Sequence, residues 1–330
     1  MSCRCEEKID MRLNNPATHI SKFSNLASHV LVFVLLLGTA LTACSTKMPP
    51  MPSLNIDTGQ VRAGNDGYGT FYSYLPSTLN QNTEILVLVH GTPIDGTAEE
   101  NAEFYVNSWK VFAEEHDYIL IAPAFNQEDF SSRYGDHAMS GYRGLFGREI
   151  GADEWVIRLA EAFQSAAELS NAQYNLYGHS AGGQFVGRFL VMHPEKINKA
   201  VITSAATYPQ PDINIKWPFG MGELHTNIEW DENKSNRVDI IPDTQNWLDA
   251  TQVHLTVIVG LNDKEEIPLE LIPGQKGTTR FTIARNWVKD MNTFAELNGV
   301  ESQFKIELIP GIGHSMSGLM PHSQSALLTE

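Results

Sequence analysis

Gly178-His179-Ser180-Ala181-Gly182 constrains this chain more tightly than any other stretch. The residues before it, Gln173-Tyr174-Asn175-Leu176-Tyr177, are short, β-prone and bounded by glycine, so they predict a strand. The residues after it, 184–192, repeat Phe185, Val186, Phe189, Leu190 and Met192 at helical spacing and predict a helix. A serine at the apex of so sharp a strand-to-helix turn sits in strained backbone. Neighbours without side chains let the strand and the helix approach each other there. The bare pattern G-x-S-x-G is common by accident. A strand before it, a helix after it and the extra Gly183 make it specific.

The rest of the chain supplies the layers such a turn needs. Strand-like aliphatic runs occur at Glu84–Val89, Tyr118–Ala122, Ala200–Thr203, His254–Val259 and Phe304–Ile309. Helical periodicity lies between them, at Asn101–Glu115, Trp155–Leu169 and Phe281–Leu297. Near-continuous aliphatic strands alternating with helices predict an α/β fold, with a mostly parallel, doubly wound sheet flanked by helices. Tyr208–Gln252 breaks the alternation with Pro, Asn, Asp and the aromatics Trp217, Phe219, Trp230 and Trp247. So long an excursion in a compact domain is usually functional. It is expected either as a cap-like insertion (208–252) over the site or as a cover on the sheet edge.

Ser180 is a poor nucleophile alone, because its hydroxyl stays protonated. It needs a base within hydrogen-bond reach, and the base needs an orienting carboxylate. Of the histidines after Ser180, His314 follows the last strand in a Gly/Pro loop, where the carboxyl edge of a parallel sheet collects ligands. His254 starts a strand at the other edge, His193 ends the helix after Ser180, His225 lies in the excursion and His322 in the terminal tail. For the carboxylate, Asp263 stands just past the strand ending at Val259. Glu265, Glu266, Asp243 and Asp249 are its rivals. A tetrahedral intermediate also needs donors for its oxyanion. The amides of Ala181 and of Thr92, in His90-Gly91-Thr92-Pro93, are the candidates, with His90 packing beneath that loop.

The N-terminal end reads differently. Val30–Leu41 is apolar but short for a membrane span, with Arg4, Lys8, Arg12 and Lys22 upstream, as in a signal peptide over 1–43. It ends in Leu41-Thr42-Ala43-Cys44, which resembles the lipobox of bacterial lipoproteins. That resemblance implies lipidation of Cys44, a membrane anchor and a place in the cell envelope, with Ser45 favouring the outer membrane. Residues 44–66 then form a flexible tether and 67–330 the folded domain. Cys3 and Cys5 would leave with the signal, so no disulfide is expected. The chain carries −16; residues 1–43 hold four basic and three acidic residues, so the remainder carries −17. So acidic a surface argues against nucleic-acid partners.

His90-Gly91, the Gly178–Gly183 run, the Gly260–Asp263 turn and Gly313-His314 together resemble the α/β-hydrolases. More narrowly they resemble the poly(3-hydroxybutyrate)-depolymerase-like and feruloyl-esterase-like group, over roughly residues 80–320. The resemblance implies an α/β-hydrolase fold and a Ser180–Asp263–His314 triad. It also implies hydrolysis of an ester or acylated small molecule through an acyl-enzyme, without cofactor or metal. Trp217-Pro218-Phe219-Gly220 resembles a segment of that group, which makes His179, Trp217 and Phe219 candidate substrate contacts. Two alternatives are an amidase or peptidase with the same triad, and a non-catalytic envelope-binding lipoprotein. No G-x-x-x-x-G-K-[ST] or H-E-x-x-H pattern is present.

Overall fold

The computed structural model describes residue 54 and residues 56–329, apart from 94–95, 132–140 and 269–271. Cys44, the expected signal segment and the first part of the expected tether lie outside the described residues. In chain order the strands are β1 (Val61–Asn65), β2 (Thr70–Tyr74), β3 (Glu84–Val89), β4 (Tyr118–Pro123), β5 (Tyr174–His179), β6 (Ile197–Thr203), β7 (Leu224–Glu229), β8 (Ser235–Ile240), β9 (His254–Gly260) and β10 (Phe304–Ile309). The helices are α1 (Ala98–Glu115), α2 (Gln127–Phe130), α3 (Ala152–Ala166), α4 (Ala181–Met192), α5 (Thr244–Gln252), α6 (Arg280–Leu297) and α7 (Met316–Leu328).

Eight strands form one sheet in the order β1-β2-β4-β3-β5-β6-β9-β10. From β4 to β10 every pairing is parallel, while β2 pairs antiparallel with both β1 and β4. The aliphatic runs are explained by burial on both faces. Ile85, Val87 and Val89 pack with Trp155, Phe185, Trp247 and Trp287 of α3, α4, α5 and α6. Leu86 and Leu88 pack on the opposite face with Trp109 of α1 and Leu319 and Leu327 of α7. Each such aliphatic side chain contributes about 1.5–3 kcal/mol by leaving water. The helix starts are set by capping. Thr97 Oγ1 accepts from the Glu100 amide at 3.1 Å, and the Glu100 carboxylate accepts from the Thr97 amide at 2.8 Å, so α1 starts at Ala98.

Two boundaries differ from expectation. The sheet begins at Val61, inside the stretch expected as tether to residue 66. Val61-Arg62-Ala63-Gly64-Asn65 is an edge strand, so it carries no aliphatic signature. Asp66, next to it, is buried and accepts from Trp155 Nε1 at 3.1 Å and Arg158 Nε at 3.2 Å. The excursion after β6 also gains elements the sequence did not predict, a β7–β8 hairpin and α5. Its tryptophans Trp217, Trp230 and Trp247 are core residues, 2%, 6% and 0% exposed.

Candidate active site

Because β3, β5, β9 and β10 run parallel, the loops that follow them all emerge at one edge of the sheet. Those loops carry Thr92, Ser180, Asp263 and His314. Ser180 has φ 55° and ψ −114°, and its amide donates to the Thr203 carbonyl at 2.8 Å. An L residue adopts that conformation only when its surroundings enforce it. Gly182 is what lets α4 start so close: a Cβ there would overlap the Val89 carbonyl oxygen. Two hydrogen bonds join the acid turn to the histidine turn. The Leu261 amide donates to Ile309 O at 2.9 Å and the Asn262 amide to Ile312 O at 2.8 Å.

The three expected side chains meet. Asp263 Oδ2 lies 2.8 Å from His314 Nδ1, and His314 Nε2 lies 3.1 Å from Ser180 Oγ. Asp263 is 2% exposed, and that burial opposes its ionisation. The hydrogen bond from His314 and the charge of Arg280 outweigh burial and hold the carboxyl below its usual range. An ionised carboxylate only accepts, so Nδ1 carries the imidazole proton. The Nε2 lone pair then faces the Ser180 hydroxyl.

The loop after β3 runs beside the serine, since a Cβ on Gly91 would stand 3.4 Å from Ser180 Cβ. Ala181 is the first residue of α4, where no intrahelical acceptor exists for its amide. Among the described residues neither the Ala181 nor the Thr92 amide has a hydrogen-bond acceptor. Thr92 itself is held by Arg143, whose Nη2 donates to Thr92 Oγ1 at 2.5 Å. His90 packs under the loop as expected, fully buried. Its Nε2 accepts from the Phe125 amide at 3.1 Å, so Nδ1 donates to Gly91 O at 2.7 Å.

The candidate substrate contacts have partners within the protein. Trp217 is buried and its Nε1 donates to Gly144 O at 3.1 Å, which makes it a structural residue. Phe219 is half-buried, and its carbonyl accepts from the Gln210 amide at 2.7 Å. His179 is 6% exposed and lies under the site: its ring centroid is 4.8 Å from that of His314, and its Nδ1 is 2.8 Å from Thr203 Oγ1. It is a floor for the His314 imidazole. The rival groups are occupied away from Ser180. His193 pairs with Asp153 at 2.8 Å, His225 with Asp239 at 2.7 Å, and Asp243 caps α5.

Arg280 is the residue that sequence reasoning passed over. It is the first residue of α6, and its Nη1 donates to Asp263 Oδ1 at 2.8 Å and to Glu265 at 2.7 Å. The signal was present: a cation at a helix N-terminus opposes the helix dipole and needs a compensating anion nearby.

The strand order, the serine turn and the carboxyl-edge loops define the α/β-hydrolase fold. Solved structures share it. A poly(aspartic acid) hydrolase from Sphingomonas sp. KT-1 is 22% identical with a TM-score of 0.63, over 81% of this chain and 97% of that one. A poly(3-hydroxybutyrate) depolymerase from Bordetella parapertussis is 20% identical with a TM-score of 0.61, over 78% of this chain and 83% of that one. No family model and no curated protein matches the chain.

Proposed function

We propose that the chain is a serine hydrolase that cleaves carboxylic esters through an acyl-enzyme. One observation carries the reading: the unbroken relay from Asp263 through His314 to Ser180, with steps of 2.8 and 3.1 Å. Ser180 Oγ attacks the ester carbonyl carbon as its proton passes to His314 Nε2. The oxyanion is met by the Ala181 and Thr92 amides, such donors contributing roughly 3 kcal/mol each. Collapse expels the alcohol, which takes the proton back from His314. Water then repeats the sequence on the acyl-Ser180 ester and releases the acid.

A fluorophosphonate probe should label the wild-type protein and not Ser180→Ala. A folded wild-type protein that resists the probe would sink the proposal. Turnover of p-nitrophenyl esters of rising acyl length should exceed that of aminoacyl p-nitroanilides, whereas the reverse order would make the chain an amidase. Both structural neighbours are named for hydrolysis of polymers, so poly(3-hydroxybutyrate) and poly(aspartic acid) belong in the substrate panel. The proposal extends to place. Leu41-Thr42-Ala43-Cys44 supports a lipid anchor on Cys44 in a bacterial envelope. Cys44→Ser should then move the protein out of the membrane fraction, and equal partition of both forms would count against an anchor.

A further inference from the structure

We propose that Arg280 is a positioning residue for the Ser180–His314–Asp263 relay, one that fixes the rotation of the Asp263 carboxylate against His314. The inference rests on the triad reading given above.

The geometry assigns each oxygen of Asp263 a separate partner. Oδ2 accepts from His314 Nδ1 and Oδ1 from Arg280 Nη1, both at 2.8 Å. A carboxylate turns readily about its last bond. Holding Oδ1 therefore fixes the direction in which Oδ2 meets the imidazole. Arg280 is itself held in register with Asp263. Glu266 bridges to Thr279, the Ile267 amide donates to Thr278 O at 2.7 Å, and the Thr279 amide donates to Thr282 Oγ1 at 3.0 Å. The segment leaving the acid turn is thus stitched to the start of α6.

The placement is costly on other grounds. The Arg280 side chain is 9% exposed at the positive end of a helix, and its Nε has no acceptor among the described residues. A buried ion pair of this kind is weak support for stability, since apolar replacements often do as well. What an apolar side chain cannot do is hold Oδ1 or place a cation one carboxylate away from His314. The groups around this centre come from four further directions. Glu265 lies on the segment after β9, His314 on the loop after β10, His179 on β5 and Tyr208 on the excursion. Burial keeps His179 and Tyr208 uncharged. Arg280 is therefore the cation that holds this carboxylate, and the exposed Glu265 shares its guanidinium.

The test is the downfield proton resonance of the His314 Nδ1–H, read by NMR beside kcat and KM. In Arg280→Met that resonance should broaden or move upfield, and kcat should fall roughly tenfold with KM little changed, because the lost interaction orients the base. Arg280→Lys keeps a donor without the planar fork, so it should restore part of both signals. Should Arg280→Met fail to fold, Arg280→Lys carries the test alone, with both signals reduced from wild type. An unchanged resonance and an unchanged kcat in every folded variant would overturn the proposal. The resonance needs no substrate, so a protein without turnover would sink the hydrolase reading and leave this one readable.

Discussion

His90 and His179 are imidazoles with no room for a second proton. His90 spends Nε2 on the Phe125 amide, and burial pushes its pKa down to about 4. Burial and the neighbouring His314 push His179 down to about 3. An unfolded histidine titrates near 6.5, so on acidification the unfolded chain takes these protons first. The stability they allow is complete above about pH 6.5 and falls as pH drops toward the folded values. For His90 the loss by pH 4 is of order 3 kcal/mol. The depressed carboxyl of Asp263 adds to it at lower pH, its stabilisation being lost as pH falls through the folded pKa. Urea unfolding from pH 7 to pH 4 should show this decline, and His179→Phe should make it shallower; a flat profile would refute it. The site residues differ in how far the sequence exposes them. Ser180, Asp263 and His314 were legible because each closely follows an aliphatic strand, so its place at the sheet edge follows from topology. Arg280 was not, because its role depends on how α6 returns to that edge. The burial of Trp217 was not legible either, because a tryptophan in a proline-rich segment reads alike whether it faces a ligand or the core.

Element by element, the turn after β5 depends on a close approach that a single methyl tests. Gly182→Ala would drive a Cβ into the Val89 carbonyl, and backbone cannot yield as a flexible side chain can. We expect a loss above about 3 kcal/mol, or no soluble protein. Gly313→Ala, beside the catalytic histidine, meets nothing closer than Asn262 O at 3.6 Å and should stay within roughly 1 kcal/mol. Thermal melts of the two variants decide it, and equal melting points would contradict the packing argument. The internal strands and long helices were legible because burial on both faces leaves a plain aliphatic pattern. β1 was not, since an edge strand is half solvated. The β7–β8 hairpin was not, since Leu224–Glu229 buries only Ile228 fully and its partner strand buries none.

For the molecule as a whole, the mostly parallel sheet was legible in the alternation of strand and helix, whereas its strand order and the antiparallel β1–β2 addition were not. That addition places Val61 at the edge of the sheet. Strands lie about 4.8 Å apart, so the chain enters roughly 19 Å across the sheet from β5. The serine turn bears on the same global balance. At φ 55° and ψ −114°, Ser180 holds a shape that glycine adopts without strain. The chain therefore carries, at this turn, a residue that backbone conformation alone would not favour. Ser180→Gly should be inert toward ester yet more resistant to urea than the wild type, by about 1 kcal/mol. An equal or lower midpoint would mean that the turn carries no such tension. If the gain is found, Ser180 is the point where this chain trades durability for the reactivity proposed for it.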